Sequence, residues 1–257
     1  MTAKFIIGLP AYNEDKNIHS LLNNIHAMRK QIGEYLEIIV INDGSSDRTE
    51  KILKNHCDNF DYMTYINHPT NLGLGRAIRT LLEYILKNYR DEDILITMDA
   101  DNTHNPRIIP SMIDMLKKEN LDIVIASRFI CGGREIGLPL IRKIYSRGAM
   151  LFCKLIFHID NIQDYSCGYR AYRVGYLRSL NQYYEGRVVS SKNFECMMEI
   201  LAKSGKLGVR AGEYPLILEY DQKQGASKMN VSKTIMGYFR LAYSVRKPKL
   251  NKSEIYE

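Results

Sequence analysis

Short apolar runs alternate with longer amphipathic stretches through the first half of the chain. The apolar runs predict five β-strands, at residues 4–10, 36–42, 62–67, 94–99 and 122–127. Between these runs, apolar residues recur at helical spacing in three stretches, at residues 18–28, 78–85 and 109–116. Because strands that alternate with helices pair in parallel, the pattern predicts an α/β fold with a mainly parallel sheet covered by helices.

The alternation ends after Ser127. Residues 128–139 contain three glycines and predict a mobile loop, and residues 141–158 predict a basic amphipathic helix. Residues 231–245 also have helical spacing, and a basic segment follows them at 246–249. These two stretches suit core-facing helices, but they also suit helices that lie on an anionic membrane surface.

The composition predicts one folded domain with C-terminal additions and an anionic partner. A chain of 257 residues that is 45% hydrophobic can bury one large core. The formal net charge of +7 suits nucleic acid, a phosphorylated substrate or an acidic membrane surface. Since zinc-finger spacing, an aromatic RNA-binding motif and an arginine-rich tail are all missing from the sequence, we expect no nucleic-acid partner and favour phosphate on another molecule.

Cysteine usage and hydropathy favour a cytoplasmic location. The five cysteines are odd in number and form no C-x-x-C pair, as expected for reduced thiols. The sequence shows no signal-peptide pattern. Its most apolar stretch, residues 149–159, is interrupted by Lys154 and is shorter than the roughly 20 residues that a spanning helix needs. Any membrane contact is therefore expected to be peripheral.

Polar segments follow three of the predicted strands. They are residues 10–14, 42–47 and 99–101, with the sequences PAYNE, NDGSSD and DAD. Ligands of open parallel sheets gather at the carboxyl ends of the strands, so we expect these segments to converge in one crevice.

The acidic pair Asp99 and Asp101 predicts a metal site. If the preceding strand continues through this pair, both carboxylates lie on the same face and can hold one hard cation, Mg²⁺ or Mn²⁺, through oxygen. The cation would neutralise a diphosphate. The alternative interpretation is a solvated turn or a helix cap, because so short a pattern also recurs by chance.

The other two segments suit a nucleoside. A carboxylate at a strand end, here Asp43, can accept hydrogen bonds from a base imide or a ribose hydroxyl. Pro10, Tyr12 and Glu14 supply a rigid turn, an aromatic face and an acceptor. The neighbouring Asp47 is explained by helix capping alone.

The ordered motifs resemble glycosyltransferase family 2. The motifs that carry the resemblance are PAYNE at 10–14, NDGS at 42–45, NLGLGRA at 71–77, DAD at 99–101 and ASRF at 126–129. Two later segments look like the dolichyl-phosphate or polyprenyl-phosphate mannose synthase branch: DYSCGYRAY at 164–172 and GASK at 225–228. The sequence departs from that branch at Gln222, where relatives often have Arg, and at 102–104, where Asn-Thr-His replaces the more usual Leu-Ser-His or Leu-Gln-His.

The resemblance implies a GT-A (Rossmann-like) fold, a nucleotide-diphospho-sugar donor such as GDP-mannose, and inversion at the anomeric carbon. It implies a GT-A domain at 1–228 and an amphipathic basic helix and tail at 229–257. Within the domain, 1–127 would be the nucleotide-sugar half and 128–228 the acceptor half. The implied nucleotide-sugar contacts are Pro10, Tyr12, Glu14, Asp43, Arg76 and Asp99. The implied metal ligands are Asp99, Asp101 and Glu195, although a solvated helix position explains Glu195 equally well. The implied diphosphate contacts are Ser227 and Lys228.

The acceptor side leaves two alternatives. Guanidinium groups could clamp a polyprenyl phosphate, and the candidates are Arg128, Arg142, Arg147 and Arg170. One or two of these arginines are expected to be ordinary surface residues. A phosphate oxygen is already ionised, whereas a hydroxyl acceptor would need a general base, for which Asp164 is the candidate.

Three functions follow from these patterns. The first is a metal-dependent inverting enzyme that moves a hexose to a polyprenyl phosphate at the cytoplasmic membrane face, with Asp99 and Asp101 in catalysis. The second is a soluble family 2 enzyme that acts on a hydroxyl of a glycan or other acceptor. The third, from another class, is a nucleotide-sugar-binding protein without turnover. The presence of Asp43 and of both acidic-pair residues argues against this third function.

Overall fold

The computed structural model describes residues 3–32, 35–157, 159–222, 236–238 and 240–242. The strands are β1 (Phe5–Ala11), β2 (Leu36–Asn42), β3 (Met63–Asn67), β4 (Ile94–Thr97), β5 (Ile123–Ser127), β6 (Arg134–Ile136), β7 (Arg170–Arg173), β8 (Ala211–Pro215) and β9 (Ile217–Glu219). The helices are α1 (Ile18–Ile32), α2 (Thr49–Asn59), α3 (Leu74–Asn88), α4 (Ile109–Lys118), α5 (Leu140–Phe157), α6 (Val174–Tyr183) and α7 (Glu195–Lys206). Short 3₁₀ turns lie at Pro106–Ile108 and Tyr220–Gln222.

Seven strands form one sheet in the order β3-β2-β1-β4-β7-β5-β8, and β6 pairs with β9 outside it. The pairs within β1 to β4 are parallel, whereas β7 runs antiparallel between β4 and β5. Strand β1 lies between β2 and β4, so successive connections leave it toward opposite edges of the sheet. A crevice opens at such a switch point, beyond the carboxyl ends of the strands.

The predicted α/β fold with a mainly parallel sheet is confirmed. All five predicted strands are present, with ends within two residues of those expected. Two details differ from the prediction. Strand β4 ends at Thr97, before the acidic pair, and the segment predicted as a mobile loop contains β6, which pairs in register with β9. The apolar run of β4 continues through Met98, so composition does not mark the end of that strand, and β6, with the sequence REI, has no apolar run.

The core lies on both faces of the sheet. Strands β4 and β5 are buried at every position, and the apolar faces of α3 and α4 are buried with them. Gly8 in the middle of β1 leaves room for α3, since a Cβ there would lie 2.9 Å from Leu81 Cδ1. This close approach brings the first turn of α3 near the carboxyl end of β1.

The C-terminal part of the chain is described only in part. Residues 236–238 and 240–242 are helical, and their Tyr238, Leu241 and Ala242 are buried, so this piece packs against the core. The boundary expected at residue 228 and the basic segment 246–249 lie outside the described residues. Helix α5 exposes Leu151 and Leu155 beside Arg147 and Lys154. Among the helices that the structure describes, none combines the length and apolarity required to cross a bilayer.

The fit between Gly8 and Leu81 predicts opposite effects of one substitution at two sites. We expect Gly8→Ala to lower the free energy of unfolding by about 1–3 kcal/mol, because the added methyl group overpacks the core. Gly148 in α5 is exposed, and a Cβ there meets nothing within 4 Å. Gly148→Ala should therefore raise the free energy by about 0.5–1 kcal/mol. Urea unfolding of both variants is the measurement, and equal midpoints would contradict the close approach.

Candidate active site

A cavity of about 420 Å³ lies at the carboxyl ends of β1, β2 and β4. The side chains that line it from these strand ends are Pro10, Tyr12, Glu14, Asp43, Asp99 and Asp101. The three polar segments selected from the sequence therefore meet in one crevice, as predicted.

The segment after β1 is locked to the segment after β2. Asn13, in the left-handed region at φ 52°, donates its backbone N–H to Ser45 Oγ and accepts the Ser46 N–H on Oδ1, at 2.9 and 2.8 Å. Glu14 donates its backbone N–H to Thr49 Oγ1 at 2.8 Å. These bonds fix the backbone on which Tyr12 and Glu14 face the cavity.

Asp43 joins the end of β2 to the start of α3. Its Oδ1 accepts hydrogen bonds from His68 Nδ1 at 2.7 Å and the Leu72 N–H at 3.0 Å, and its Oδ2 accepts the Gly73 N–H at 2.8 Å. His68 contacts Thr80 Oγ1 through its other ring nitrogen, at 2.9 Å. The carboxylate is buried at the cavity wall, so it shapes the loop in front of α3 as well as facing the space predicted for a nucleoside.

The acidic pair lies in a turn rather than on a continuing strand. Asp101 Oδ1 accepts the Thr103 N–H at 3.2 Å and the Thr103 hydroxyl at 2.7 Å, and Asn102 between them has φ 63°. The Asp99 N–H donates to His104 Nδ1 at 3.1 Å, and the His104 ring stacks on Tyr169 with centroids 5.0 Å apart. The turn, held by side chains of its own segment, presents both aspartates to the cavity.

Both ring nitrogens of His104 face Asp99. Because Nδ1 accepts the Asp99 N–H, a neutral ring carries its proton on Nε2, which lies 3.9 Å from Asp99 Oδ2. Through the bond to Nδ1, His104 caps the turn that carries the acidic pair.

The protein side chains at the cavity can hold Mg²⁺ or Mn²⁺ only if the substrate supplies further oxygen ligands. Within the described ranges, no three His, Cys, Asp or Glu side chains are grouped so that they could hold a metal ion. Glu195, predicted as the third ligand, lies at the start of α7 and is buried outside the cavity lining, with Oε2 lacking a hydrogen-bond partner. Two carboxylates with diphosphate and water suit Mg²⁺, which usually keeps several waters.

Arg128 and Asp164 form a bidentate pair at the opposite wall. Arg128 Nε and Nη2 donate to the two Asp164 oxygens at 2.7 and 2.8 Å, and Nη1 donates to Glu135 at 3.3 Å. Asp164 also accepts the N–H groups of Ser166 and Cys167 at 3.3 and 3.0 Å. Arg128 lines the cavity, whereas Asp164 is fully buried behind it.

This placement changes the role expected for Asp164. Burial alone would raise the pKa of its carboxyl, but the Arg128 guanidinium and the hydrogen bonds to it hold that pKa below the ordinary value. A fully hydrogen-bonded carboxylate with a lowered pKa is a poor proton acceptor. The structure favours a positioning role for Asp164, which orients Arg128, over the general-base role.

The other predicted acceptor residues separate into different environments. Arg170 is buried, and its guanidinium donates to the backbone oxygens of Cys167, Met197 and Tyr165 at 2.8, 2.7 and 2.8 Å. It therefore stabilises the fold beneath the cavity in place of the predicted contact with an acceptor phosphate. Arg147 is exposed on α5.

Four more predicted contacts were not found at the cavity wall. One of them is described and lies elsewhere, and three lie outside the described part of the structure. Arg76 is exposed in the first turn of α3 and does not line the cavity. The Arg142 side chain, Ser227 and Lys228 lie outside the described part of the structure.

Several residues of the cavity carried no motif in the sequence. They are Leu138, Asn193, Phe194, Leu218, Tyr220 and Tyr238. Most are apolar or aromatic and reach the cavity from segments far apart in the chain. Phe194 is the one for which a signal existed, because it precedes Glu195, which the resemblance had singled out.

A comparison with known protein families identifies the family of this chain. Residues 6–180 match the profile of the family described as Glycosyl transferase family 2. The chain therefore belongs to glycosyl transferase family 2, as the motifs predicted.

Several relatives match over most of the chain. The undecaprenyl-phosphate mannosyltransferase of Micrococcus luteus is 28% identical over 86% of this chain and 86% of its own length. The dolichol-phosphate mannosyltransferase of Pyrococcus furiosus is 29% identical over 95% of this chain, which spans 64% of that relative. The polyprenol monophosphomannose synthase of Mycolicibacterium smegmatis is 26% identical over 94% and 86% of the two chains.

Solved structures share the fold. Glucosyl-3-phosphoglycerate synthase from Mycobacterium tuberculosis, crystallised with Mn²⁺, UDP and glucosyl-3-phosphoglycerate, superposes with a TM-score of 0.65 over 95% of this chain and 78% of that chain, at 16% identity. The S. aureus TarS 1–349 structure gives a TM-score of 0.58 over 97% and 67%, at 15% identity. These similarities confirm the GT-A fold.

The buried pair predicts a pH-dependent contribution of Asp164 to stability. Since its folded-state pKa is lowered, the contribution is full above the unfolded pKa of about 4 and is lost as the pH falls through the folded-state value. We expect Asp164→Asn to lower the free energy of unfolding by about 3–5 kcal/mol near neutral pH. The difference from wild type should shrink below about pH 4.

Urea unfolding across this pH range measures both effects. Asp114→Asn is the matched control, because that carboxylate is exposed on α4 and pairs only at the surface with Lys118. A difference between wild type and Asp164→Asn that is independent of pH would contradict the charged pair.

Proposed function

We propose that this protein transfers a hexosyl group from a nucleotide-diphospho-sugar to a polyprenyl phosphate. The proposed donor is GDP-mannose, so the group transferred is mannosyl. The observation that carries the proposal is the convergence of Asp99, Asp101 and Asp43 with Pro10, Tyr12 and Glu14 in one cavity. Named relatives that act on undecaprenyl or dolichol phosphate support the acceptor.

The nucleoside end of the sugar donor would lie against the wall from β1 and β2. Tyr12 offers an aromatic face, and the fixed carboxylates of Glu14 and Asp43 accept hydrogen bonds. Asp99 and Asp101 would hold the metal beside the diphosphate, with Ser227 and Lys228 as further diphosphate contacts. A divalent cation, when bound, supplies neutralisation of the charge that develops on the leaving diphosphate.

The proposed reaction is a single displacement. An ionised phosphate oxygen of the acceptor attacks the anomeric carbon, the bond from that carbon to the diphosphate oxygen breaks, and the nucleoside diphosphate leaves. Such a nucleophile needs no proton acceptor, which agrees with a buried Asp164 whose oxygens are already hydrogen-bonded. Inversion at the anomeric carbon follows from attack opposite the leaving group.

The acceptor would enter beside Arg128 and α5. Arg128 is held rigidly at the cavity wall, and Arg142 and Arg147 belong to the first half of α5. The same helix exposes Leu151 and Leu155 together with basic side chains, a surface that suits the apolar and anionic layers of a membrane. We propose peripheral contact with the cytoplasmic membrane face, at which a lipid phosphate reaches the cavity.

Loss of one carboxylate of the acidic pair tests the reaction. We expect Asp101→Asn to lower kcat/KM for transfer from GDP-mannose to polyprenyl phosphate about 100-fold or more, because several kcal/mol of charge stabilisation are lost. Removal of the metal with EDTA should abolish transfer, and added Mn²⁺ should restore it. The readout is radiolabelled sugar recovered in the lipid phase.

Asp58→Asn is the matched control, since Asp58 is exposed on α2 far from the strand ends. The proposal fails if wild type and Asp101→Asn transfer sugar at the same rate, or if wild type transfers none with any nucleotide sugar and lipid phosphate tested.

The acceptor contact is tested at the exposed Arg147. We expect Arg147→Ala to raise the KM for polyprenyl phosphate about tenfold, as for loss of a charged hydrogen bond, and to leave the KM for the nucleotide sugar unchanged. Arg107→Ala, at an exposed position before α4, should change neither KM. Equal transfer to a polyprenol that lacks the phosphate would contradict recognition of the phosphate.

A further inference from the structure

A strap of six residues, 187–192, crosses the first turn of α3 just before α7. The Lys203 side chain of α7 holds the first part of the strap. Lys203 Nζ donates to the backbone oxygens of Arg187 and Val188 at 2.6 and 3.1 Å, and to Glu199 Oε1 at 2.6 Å. The strap is thus tied to α7 by a Glu-Lys pair one turn apart.

Glu199 holds the middle of the strap. Its Oε2 accepts the N–H groups of Ser190 and Ser191 at 2.9 and 2.8 Å and the Ser191 hydroxyl at 2.6 Å. Burial would raise the pKa of this carboxyl, but Lys203 and the serine hydrogen bonds lower it below the ordinary value, so Glu199 remains ionised. An ionised carboxylate with several donors forms the strong kind of hydrogen bond and fixes the backbone closely.

Helix α3 holds the strap from the other side. Arg79 Nε donates to the Val189 oxygen at 3.0 Å, its Nη2 contacts the same oxygen, and the Gly75 N–H donates to the Lys192 oxygen at 2.9 Å. A Cβ at Gly73 would lie 2.5 Å from the Lys192 oxygen, and one at Gly75 would overlap Ser191. The glycines of the NLGLGRA segment therefore make room for the strap.

The strap leads directly into the cavity. Asn193 and Phe194 follow it and line the cavity together with Gly73. The Gly73 N–H is bonded to Asp43, so the strap, the first turn of α3 and the nucleoside wall form one connected frame. A shift of the strap would move Asn193 and Phe194 relative to Asp43.

We infer that Glu199 is a positioning residue for the nucleotide sugar: it fixes the strap and thereby sets where Asn193 and Phe194 meet the ligand. Glu199 itself does not line the cavity. The inference rests on the proposed function, because it takes a nucleotide-diphospho-sugar as the ligand of this cavity. Removing the strap bonds should weaken binding of the ligand while the acidic pair stays in place.

Three variants separate positioning from general stability. Glu199→Ala removes the three hydrogen bonds that Glu199 accepts from the strap and its contact with Lys203. Glu199→Gln can keep its amide oxygen where Oε2 accepts the three serine bonds, and loses only the charged contact with Lys203. Glu83→Ala is the matched control, since Glu83 is exposed on α3. Binding of GDP with Mn²⁺ is measured by titration calorimetry, at a temperature at which all variants are folded.

We expect Glu199→Ala to raise the Kd for GDP and the KM for GDP-mannose about tenfold, because Asn193 and Phe194 would no longer be held where they meet the ligand. The KM for polyprenyl phosphate should not change. Glu199→Gln should stay within about threefold of wild type, since most of the bonds survive. If Glu199→Ala does not fold, Ser191→Ala removes a single bond of the same set and should raise the Kd about two- to threefold.

A double-mutant cycle with Phe194→Ala supplies the decisive readout. If Glu199 acts through Asn193 and Phe194, the double variant should bind GDP about as weakly as the weaker single variant, because the two changes remove the same contact. Additive losses, or unchanged binding in Glu199→Ala, would overturn the inference. These outcomes are distinct from failure of the proposed function, which would appear as wild-type protein that binds GDP but transfers no sugar to the lipid phosphate.

Discussion

The carboxylate of Asp43 holds the inner wall of the cavity together. It is buried at the end of β2, accepts three hydrogen bonds from the segment before α3, and its own N–H donates to Ala11 at the end of β1. The side chain thus fixes the segment before α3 to the end of β2, and the backbone N–H of the same residue ties the ends of β1 and β2 together. The strap before α7 contacts the same first turn of α3 through the Gly75 N–H, so this side of the crevice depends on the frame.

Among the residues that the structure describes, those lining the cavity carry a charge opposite to that of the chain. The formal net charge is +7, yet Glu14, Asp43, Asp99 and Asp101 line the cavity, and Arg128 is paired with two carboxylates. A nucleoside diphosphate would meet repulsion there without a counter-ion. The requirement for a divalent cation in the proposed reaction therefore follows from the electrostatics of the wall as well as from the ligand chemistry of the acidic pair.

The sequence predicted the donor side of the molecule better than the acceptor side. Each donor-side residue, such as Asp43 or Asp101, follows an apolar strand, and the topology of a parallel sheet then brings it to the crevice. Arg170 and Asp164 lie in a segment without such a pattern. Each is satisfied partly by near neighbours in the chain and partly by a distant residue, Arg128 for Asp164 and Met197 for Arg170, and hydropathy assigns both residues to the surface. Asn193 and Phe194 were missed for the same reason, since their place depends on the strap.

The antiparallel strand β7 has a consequence for the order of folding. Strands β1 to β4 pair with one another using the first 97 residues, whereas β5 pairs only with β7 and β8, which come later in the chain. During synthesis from the N-terminus, we expect the nucleoside wall to assemble first. The apolar β5 then waits at least until residue 173 is available, with its edges exposed to other chains. Strand β6 also waits for a late partner, β9, but β5 is the buried apolar strand of the two, which makes it a point for chaperone capture or aggregation.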